Sequence, residues 1–248
     1  ASAALFLVNG RYAAIGTTWR APQLAAVLRR IAERGRDGFY KGETARLIAA
    51  AMEKHGGIIT PSDLANYRPV WRTPIEFEYR KHRVVSMPPA SSGGLTLALI
   101  LGVVGQRDIA SLGWRTAASI HLLAEAERRA FARRNALLGD PAFGPIATAS
   151  FLSPDTAAAL SAEITERAST TPVAPTAKEP RHTTHFSVVD ARGNAVSLTT
   201  TLNESYGAAF TVAGAQFLLN DEMDDFTTKP GAVNAMGLVQ GERNAIAP

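Results

Sequence analysis

Cysteine is absent from the 248 residues. That excludes disulfides, thiolate metal sites and cysteine nucleophiles, and it leaves the compartment open, because many exported proteins also lack cysteine. Long apolar runs are missing too: no stretch of about 18 consecutive apolar residues occurs, so no segment reads as a membrane-spanning helix. The apolar start, residues 1 to 8, has no basic n-region and no cleavage site, and it reads as a strand rather than a signal peptide. The chain stops in a loop-like run at Ala247-Pro248, and both ends read as those of a fragment. Aromatic residues make up only 7% of the chain, and the net charge is +4. The excess sits on arginines such as Arg29, Arg30, Arg128, Arg129, Arg133 and Arg134, on amphipathic helices. A basic stripe interleaved with aromatics is lacking, so nucleic-acid binding is not expected. There is no internal repeat. No glycine-rich phosphate loop occurs either: Ser91-Ser-Gly-Gly94 lacks a Lys-Ser/Thr pair and reads as close backbone packing at a helix start.

What remains is ordinary globular material, 46% hydrophobic and 19% charged, long enough for one large domain or two small ones. Residues 1 to 20 predict a short strand, a turn at Asn9-Gly10 and a second short element. Pro22 opens a helix with Leu24, Val27, Leu28 and Ile31 on one face, and Gly35 stops it. A second helix is expected over 39–54, with Ala45, Ile48, Ala49 and Met52 as its stripe. Thr60-Pro-Ser-Asp63 caps a short third one. Two strands, Ile75 to Tyr79 and Val84 to Met87, flank the turn Arg80 to Arg83. A buried helix follows Gly94. The longest helix is predicted over 116–138, with Ile120, Leu123, Ala124, Phe131 and Leu138 toward the core, and another follows Ser153-Pro154. Residues 169 to 182 have no periodicity and read as a flexible linker. The texture then turns to β: a strand with Phe186, Val188 and Val189, a turn at Asp190 to Asn194, a partner strand with Val196, Leu198, Thr199 and Thr201, and a third strand over 217–219.

Three places carry candidate chemistry. Thr183 stands where the linker meets the first of these strands. A threonine hydroxyl is a poor nucleophile without a base. Cutting the bond before it would free an α-amine beside the hydroxyl, and an α-amine titrates near pH 7 to 8, so it can serve as that base. The plain alternative is a threonine that opens a strand. On the partner strand, alternation puts Thr199, Thr201 and Asn203 on one face, where a hydroxyl can orient Thr183 and an amide can bind a carboxylate or amine. Threonine is also simply common in strands. Lastly, Asn220-Asp-Glu-Met-Asp-Asp-Phe226 places four carboxylates in five residues. Its spacing does not match a calcium loop, so the ammonium of an amino-acid substrate suits it better than a metal; a solvated acidic loop is the alternative. His121 and Glu125, at i, i+4 spacing, read as a surface or core pair rather than metal ligands.

Taken together and in order, these elements resemble the γ-glutamyltranspeptidases (glutathione hydrolases) of the N-terminal-nucleophile hydrolase superfamily. The likeness runs through Asp37-Gly-Phe-Tyr-Lys-Gly42, Gly56-Gly-Ile-Ile-Thr60, Asp63-Leu-Ala-Asn-Tyr67 and Arg72-Thr-Pro74. It continues in Met87-Pro-Pro-Ala-Ser-Ser-Gly-Gly94, Ala124-Glu-Ala-Glu127 and Leu138-Gly-Asp-Pro141, and it is most specific from Thr183 to Gly231. The resemblance implies an α+β fold, part of a four-layer αββα sandwich. Residues 1–182 would be the later part of a large subunit, and 183–248 the start of a small one, both from a single precursor. It implies self-cleavage at His182–Thr183, Thr183 as nucleophile, and Thr201 as its hydrogen-bond partner. Asn203, Glu222 and Asp225 would hold the α-amino and α-carboxylate ends of a γ-glutamyl group. The implied donor is glutathione, the acceptor water, an amino acid or a peptide, with no cofactor and a periplasmic or secreted setting.

The family also has a preceding portion that supplies an arginine for the substrate carboxylate. Beyond the position of Pro248 it has a Ser-Ser segment and a Gly-Gly oxyanion hole. This sequence contains none of these, and losing one oxyanion donor costs about 100- to 1,000-fold in rate. Met236 stands where several bacterial members place an aromatic in the loop over the pocket. Three rivals share most of these features: an acylase for glutaryl side chains of β-lactams, a poly-γ-glutamate processing enzyme, and a catalytically silent or unprocessed homologue.

Overall fold

Alanine and leucine favour helix over strand, and they decide the start of the chain. The structure is a computed structural model that describes residues 2–169, 183–229, 231–232 and 242–246. It folds most of the expected first strand as a helical turn, α1 (Ser2–Phe6). Only β1 (Leu7–Val8) and β2 (Arg11–Tyr12) pair, antiparallel, around Asn9 and Gly10, both at positive φ as a primed two-residue turn requires. The chain divides into two compact units. One comprises Ala1–Val70 and Pro180–Glu222, the other Trp71–Glu179 and Met223–Pro248.

In the first unit, Pro22 and Gly35 bracket α2 (Pro22–Arg34) as expected. Val27 is buried on it, but Leu28 is exposed. The single helix expected over 39–54 is two: α3 (Asp37–Tyr40) and α4 (Gly42–His55). They break where Lys41 is extended and Gly42 takes φ +63°, a left-handed value open to glycine. The break lets the chain pack closely, since a Cβ on Gly38 would lie 2.0 Å from the Arg30 carbonyl oxygen. Gly56 ends α4 in the left-handed region, and its N–H caps the Met52 carbonyl. A full capping box starts α5 (Pro61–Asn66): Thr60 Oγ1 accepts from the Asp63 N–H, and the Asp63 carboxylate accepts from Thr60. The core of this unit gathers Val27, Ala45, Ile48, Ala51 and Leu64 with Val212 and Ala215.

The second unit opens with β3 (Ile75–Tyr79) and β4 (His82–Ser86), paired antiparallel. The turn is only Arg80-Lys81, both at positive φ, so His82 and Arg83 belong to the strand rather than to the expected four-residue turn. Next comes α6 (Gly93–Gly105), with Leu95, Leu99, Val103 and Val104 buried. A Cβ on Gly94 would lie 2.3 Å from the Met87 carbonyl oxygen and 2.8 Å from Ile75 Cδ1. The glycine pair therefore serves backbone packing. Gly94→Ala should lower stability by about 1–3 kcal/mol, the usual effect of overpacking; a thermal melt of the variant matching the native protein would contradict this.

Thr116 caps α7 (Ala117–Leu137). Its buried face differs from the one expected. Leu122, Glu125, Ala126 and Ala130 turn inward, while Ile120 is 56% and Leu123 39% exposed. Small alanines on that face allow close approach to α6, and packing overrides the larger apolar residues. The helices α8 (Thr148–Leu152) and α9 (Pro154–Ala162) complete the core around Phe151 and Ala157. No helix among the described residues is long and apolar enough to cross a membrane.

Residues 170 to 182, most of the expected linker, lie outside the described residues, as does Met236. The chain returns to the first unit as the hairpin β5 (Thr184–Val189) and β6 (Ala195–Thr200). Asp190 holds its turn by accepting from the Arg192 and Asn194 N–H groups and the Asn194 side chain. The strand expected over 217–219 is not formed. A single bridge, Thr211 to Leu218, closes a tight reversal in which Gly214 and Gln216 take positive φ. The elements together are mixed helix and strand, the α+β class.

Candidate functional site

Strict alternation gives the β5–β6 hairpin two unlike faces. Phe186, Val188, Val196 and Leu198 share one, and all four are exposed. His185, Ser187, Ser197 and Thr199 share the other. The register pairs Thr184 with Thr200, His185 with Thr199, and Ser187 with Ser197. The ladder ends at Thr184 and Thr200, and Thr183 and Thr201 each lie one residue past this last pair. Thr183 is exposed at the mouth of the hairpin, immediately before β5. His182, the other side of the expected cleavage, lies outside the described residues.

The polar face is knitted by one imidazole. His185 Nδ1 lies 2.7 Å from Thr199 Oγ1, and Nε2 lies 3.2 Å from Ser197 Oγ and 3.4 Å from Ser187 Oγ. None of the three contacts was foreseen, although the alternation that grouped Thr199 with Thr201 also puts residues 185 and 187 on that face.

Past β6 the chain leaves the ladder for a definite reason. Thr201 Oγ1 accepts from the Asn203 N–H at 2.9 Å, a hydroxyl-closed turn that competes with strand pairing. Its own O–H proton remains available to donate. Asn203 takes φ +74°, tolerable for asparagine, and is only 9% exposed. A clamp pins this turn to the acidic segment. Asn203 Nδ2 donates to the Asp221 carbonyl at 3.3 Å, the Asp221 N–H donates to the Leu202 carbonyl at 3.1 Å, and Asp221 Oδ1 accepts from the Glu204 N–H at 3.1 Å. Asp221 is thus a structural member of the cluster that sequence reasoning did not separate from its neighbours. The signal is a contact between residues 18 apart, which no local pattern contains.

The cluster itself is a short 3₁₀ turn, Glu222–Asp225. The Glu222 N–H donates to Asn220 Oδ1 at 3.1 Å, which orders the start of the turn. The Asp225 carbonyl accepts from Asn244 Nδ2 at 2.8 Å. The structure therefore joins Thr201, Asn203 and the 220–222 segment by hydrogen bonds, while Thr183 and Thr201 lie just past the last ladder pair. Asp225 belongs to the second unit. Among the described residues, no group of three His, Asp or Glu side chains is placed to hold a metal ion.

His121 and Glu125 take separate partners. His121 Nε2 lies 2.7 Å from the Thr165 carbonyl oxygen. Glu125 is 4% exposed and binds Arg129, Arg128 and the Ser169 N–H. Burial pushes its carboxyl up, but the hydrogen bonds from Arg129 and Ser169 and the charges of both arginines outweigh that and hold it below its ordinary value.

The family model described as Gamma-glutamyltranspeptidase matches residues 1–248. The chain is 45% identical over 240 residues to the glutathione hydrolase proenzyme of Pseudomonas aeruginosa, which spans 94% of this chain and 42% of that protein. The solved γ-glutamyltranspeptidase of Helicobacter pylori superposes with a TM-score of 0.65 at 35% identity, over 67% of this chain and 48% of that one. The cephalosporin acylase of Bacillus halodurans superposes with a TM-score of 0.79 at 29% identity, over 98% of this chain and 43% of that one. The chain spans less than half the length of these relatives.

Proposed function

The chain belongs to the γ-glutamyltranspeptidase family, and on that premise we propose that it carries the nucleophile half of a γ-glutamyl-transfer site, with Thr183 as the attacking residue. Cleavage of the His182–Thr183 bond leaves residues 1–182 in the large subunit and makes Thr183 the first residue of the small one. Its α-amine then takes the proton of its own hydroxyl. The Thr183 oxygen attacks the γ-carbonyl carbon of a γ-glutamyl amide such as glutathione. The tetrahedral adduct collapses, the α-ammonium returns its proton to the departing amine, cysteinylglycine in the case of glutathione, and a γ-glutamyl-threonine ester remains. Water, an amino acid or a peptide then attacks the ester, and the Thr183 hydroxyl is regenerated. No step calls for a cofactor. Thr201 donates its hydroxyl proton toward the Thr183 oxygen as charge builds there. Asn203 and Glu222 with Asp225 hold the α-carboxylate and α-ammonium of the donor. By the family resemblance, the setting is periplasmic or secreted.

The observation that supports this reading is the hairpin register, whose last pair, Thr184 with Thr200, leaves Thr183 and Thr201 each one residue beyond it, with an asparagine clamped to the acidic segment two residues after Thr201. A second reading, an acylase that takes glutaryl groups, is favoured by the likeness to cephalosporin acylase over 98% of the chain. The donors differ by one ammonium. Comparing the two anilides on the full-length protein separates them. The γ-glutamyl compound should be preferred on the order of 10- to 100-fold in kcat/KM, the worth of one charged hydrogen bond. Preference for the glutaryl compound would establish the second reading instead.

A further inference from the structure

The hydrogen-bonded ladder of the hairpin stops at Thr184 and Thr200. The reacting pair lies one residue beyond it, where strand ends fray. Cutting before Thr183 makes this worse, because the new end is held on one side only. Thr201 is already turned away by its bond to the Asn203 N–H. Something other than the ladder has to hold the two threonines at a fixed separation.

Resting on the reading of Thr183 as nucleophile, we propose that His185 is a positioning residue for the Thr183–Thr201 pair and acts through Thr199. Its imidazole occupies the next cross-strand position on the same face, one pleat inward. It reaches across the hairpin from β5 to Thr199 at 2.7 Å and to Ser197 at 3.2 Å on β6, with Ser187 of its own strand at 3.4 Å. A neutral imidazole has one donor and one acceptor nitrogen, so a single ring can satisfy a hydroxyl at each end. The result is a rigid cross-strand tie beside the open mouth. It fixes the splay of the strands and the rotamer of Thr199, the nearest same-face neighbour of Thr201 along β6. Among the described residues the ring hydrogen-bonds to Thr199, Ser197 and Ser187, none of which is assigned to the donor's α-groups. Its loss should therefore be felt in the chemical step and not in donor binding.

The test compares mature full-length protein with four single variants and one double variant, using a γ-glutamyl anilide, intact mass and thermal melts. His185→Phe keeps a ring and removes both hydrogen-bonding ends. It should lower kcat on the order of 10- to 100-fold, the scale of a small misplacement of reacting groups, with KM within about two-fold. His185→Asn keeps an amide atom where Nδ1 stands and should recover most of the loss. Thr199→Val should match His185→Phe and Thr199→Ser should not, and combining His185→Phe with Thr199→Val should add nothing further. Should His185→Phe fail to fold, the Thr199→Val and Thr199→Ser pair carries the same expectation. The role of His185 is overturned if kcat stays within two-fold of the parent, if the asparagine variant is no better than phenylalanine, or if kcat and KM change together. A parent that is uncut before Thr183 and inactive overturns both this role and the proposed function. A cut, active parent with a fully active His185→Phe variant overturns this role alone.

Discussion

Thr183→Ala in the full-length protein should leave one uncut chain and no turnover of a γ-glutamyl anilide. The loss should be on the order of 10⁴-fold or more, the scale seen when a covalent nucleophile is removed. Two functions fall together because, in the proposed mechanism, one oxygen performs both. It attacks the preceding carbonyl to release the new end, and the released amine then activates the same oxygen. Thr183→Ser should retain slow cutting and some turnover, since the hydroxyl stays and only the methyl that restrains its rotamer is gone. A denaturing gel and an anilide assay decide. A Thr183→Ala protein that is still cut and active would remove Thr183 from the chemistry and leave it the plain opening of β5.

Glu125→Ala has the second large effect, on stability. Glu125 is buried between Arg128 and Arg129, and the Arg129 side chain is itself only 14% exposed. Removing Glu125 leaves the buried Arg129 guanidinium, among the described residues, only the mostly exposed Glu163 carboxylate at 3.4 Å, and removing one partner of a buried pair costs about 3–5 kcal/mol. It also releases the Ser169 N–H, the last tethered backbone group before residues 170 to 182. The carboxyl is held below its ordinary value of 4.5. Its contribution is therefore fully present above pH 4.5 and lost as pH falls through the lower folded value. Urea unfolding at neutral pH and at successively lower pH measures both effects. A variant within about 1 kcal/mol of the native protein would contradict the buried-pair account.

What was legible in the sequence was mostly local. Thr60, Thr116 and Ser153 start helices through hydrogen bonds made within three residues, and Pro22 starts one through its fixed φ, with no side-chain capping bond. The turn at Asp190 reads from its own side-chain chemistry. The buried face of α7 did not read, because both of its faces carry apolar residues and only the neighbouring helix selects the small ones. Nor did the break at Gly42, which depends on Gly38 meeting the Arg30 carbonyl. At the site, alternation grouped Thr199 with Thr201 and Asn203, but β6 ends at Thr200 and Asn203 takes a left-handed turn, so the strand pattern does not reach it. The Asp221 clamp and the His185 tie needed a register and a long-range contact, which a pattern along one strand does not hold.

The mass and first residue of the chains obtained after incubating the freshly made full-length protein at neutral pH test the central claim most directly. The account predicts two chains, the smaller beginning at Thr183, with appearance independent of protein concentration and of added protease inhibitors. A single persistent chain, or a smaller chain that begins at any other residue, would contradict it.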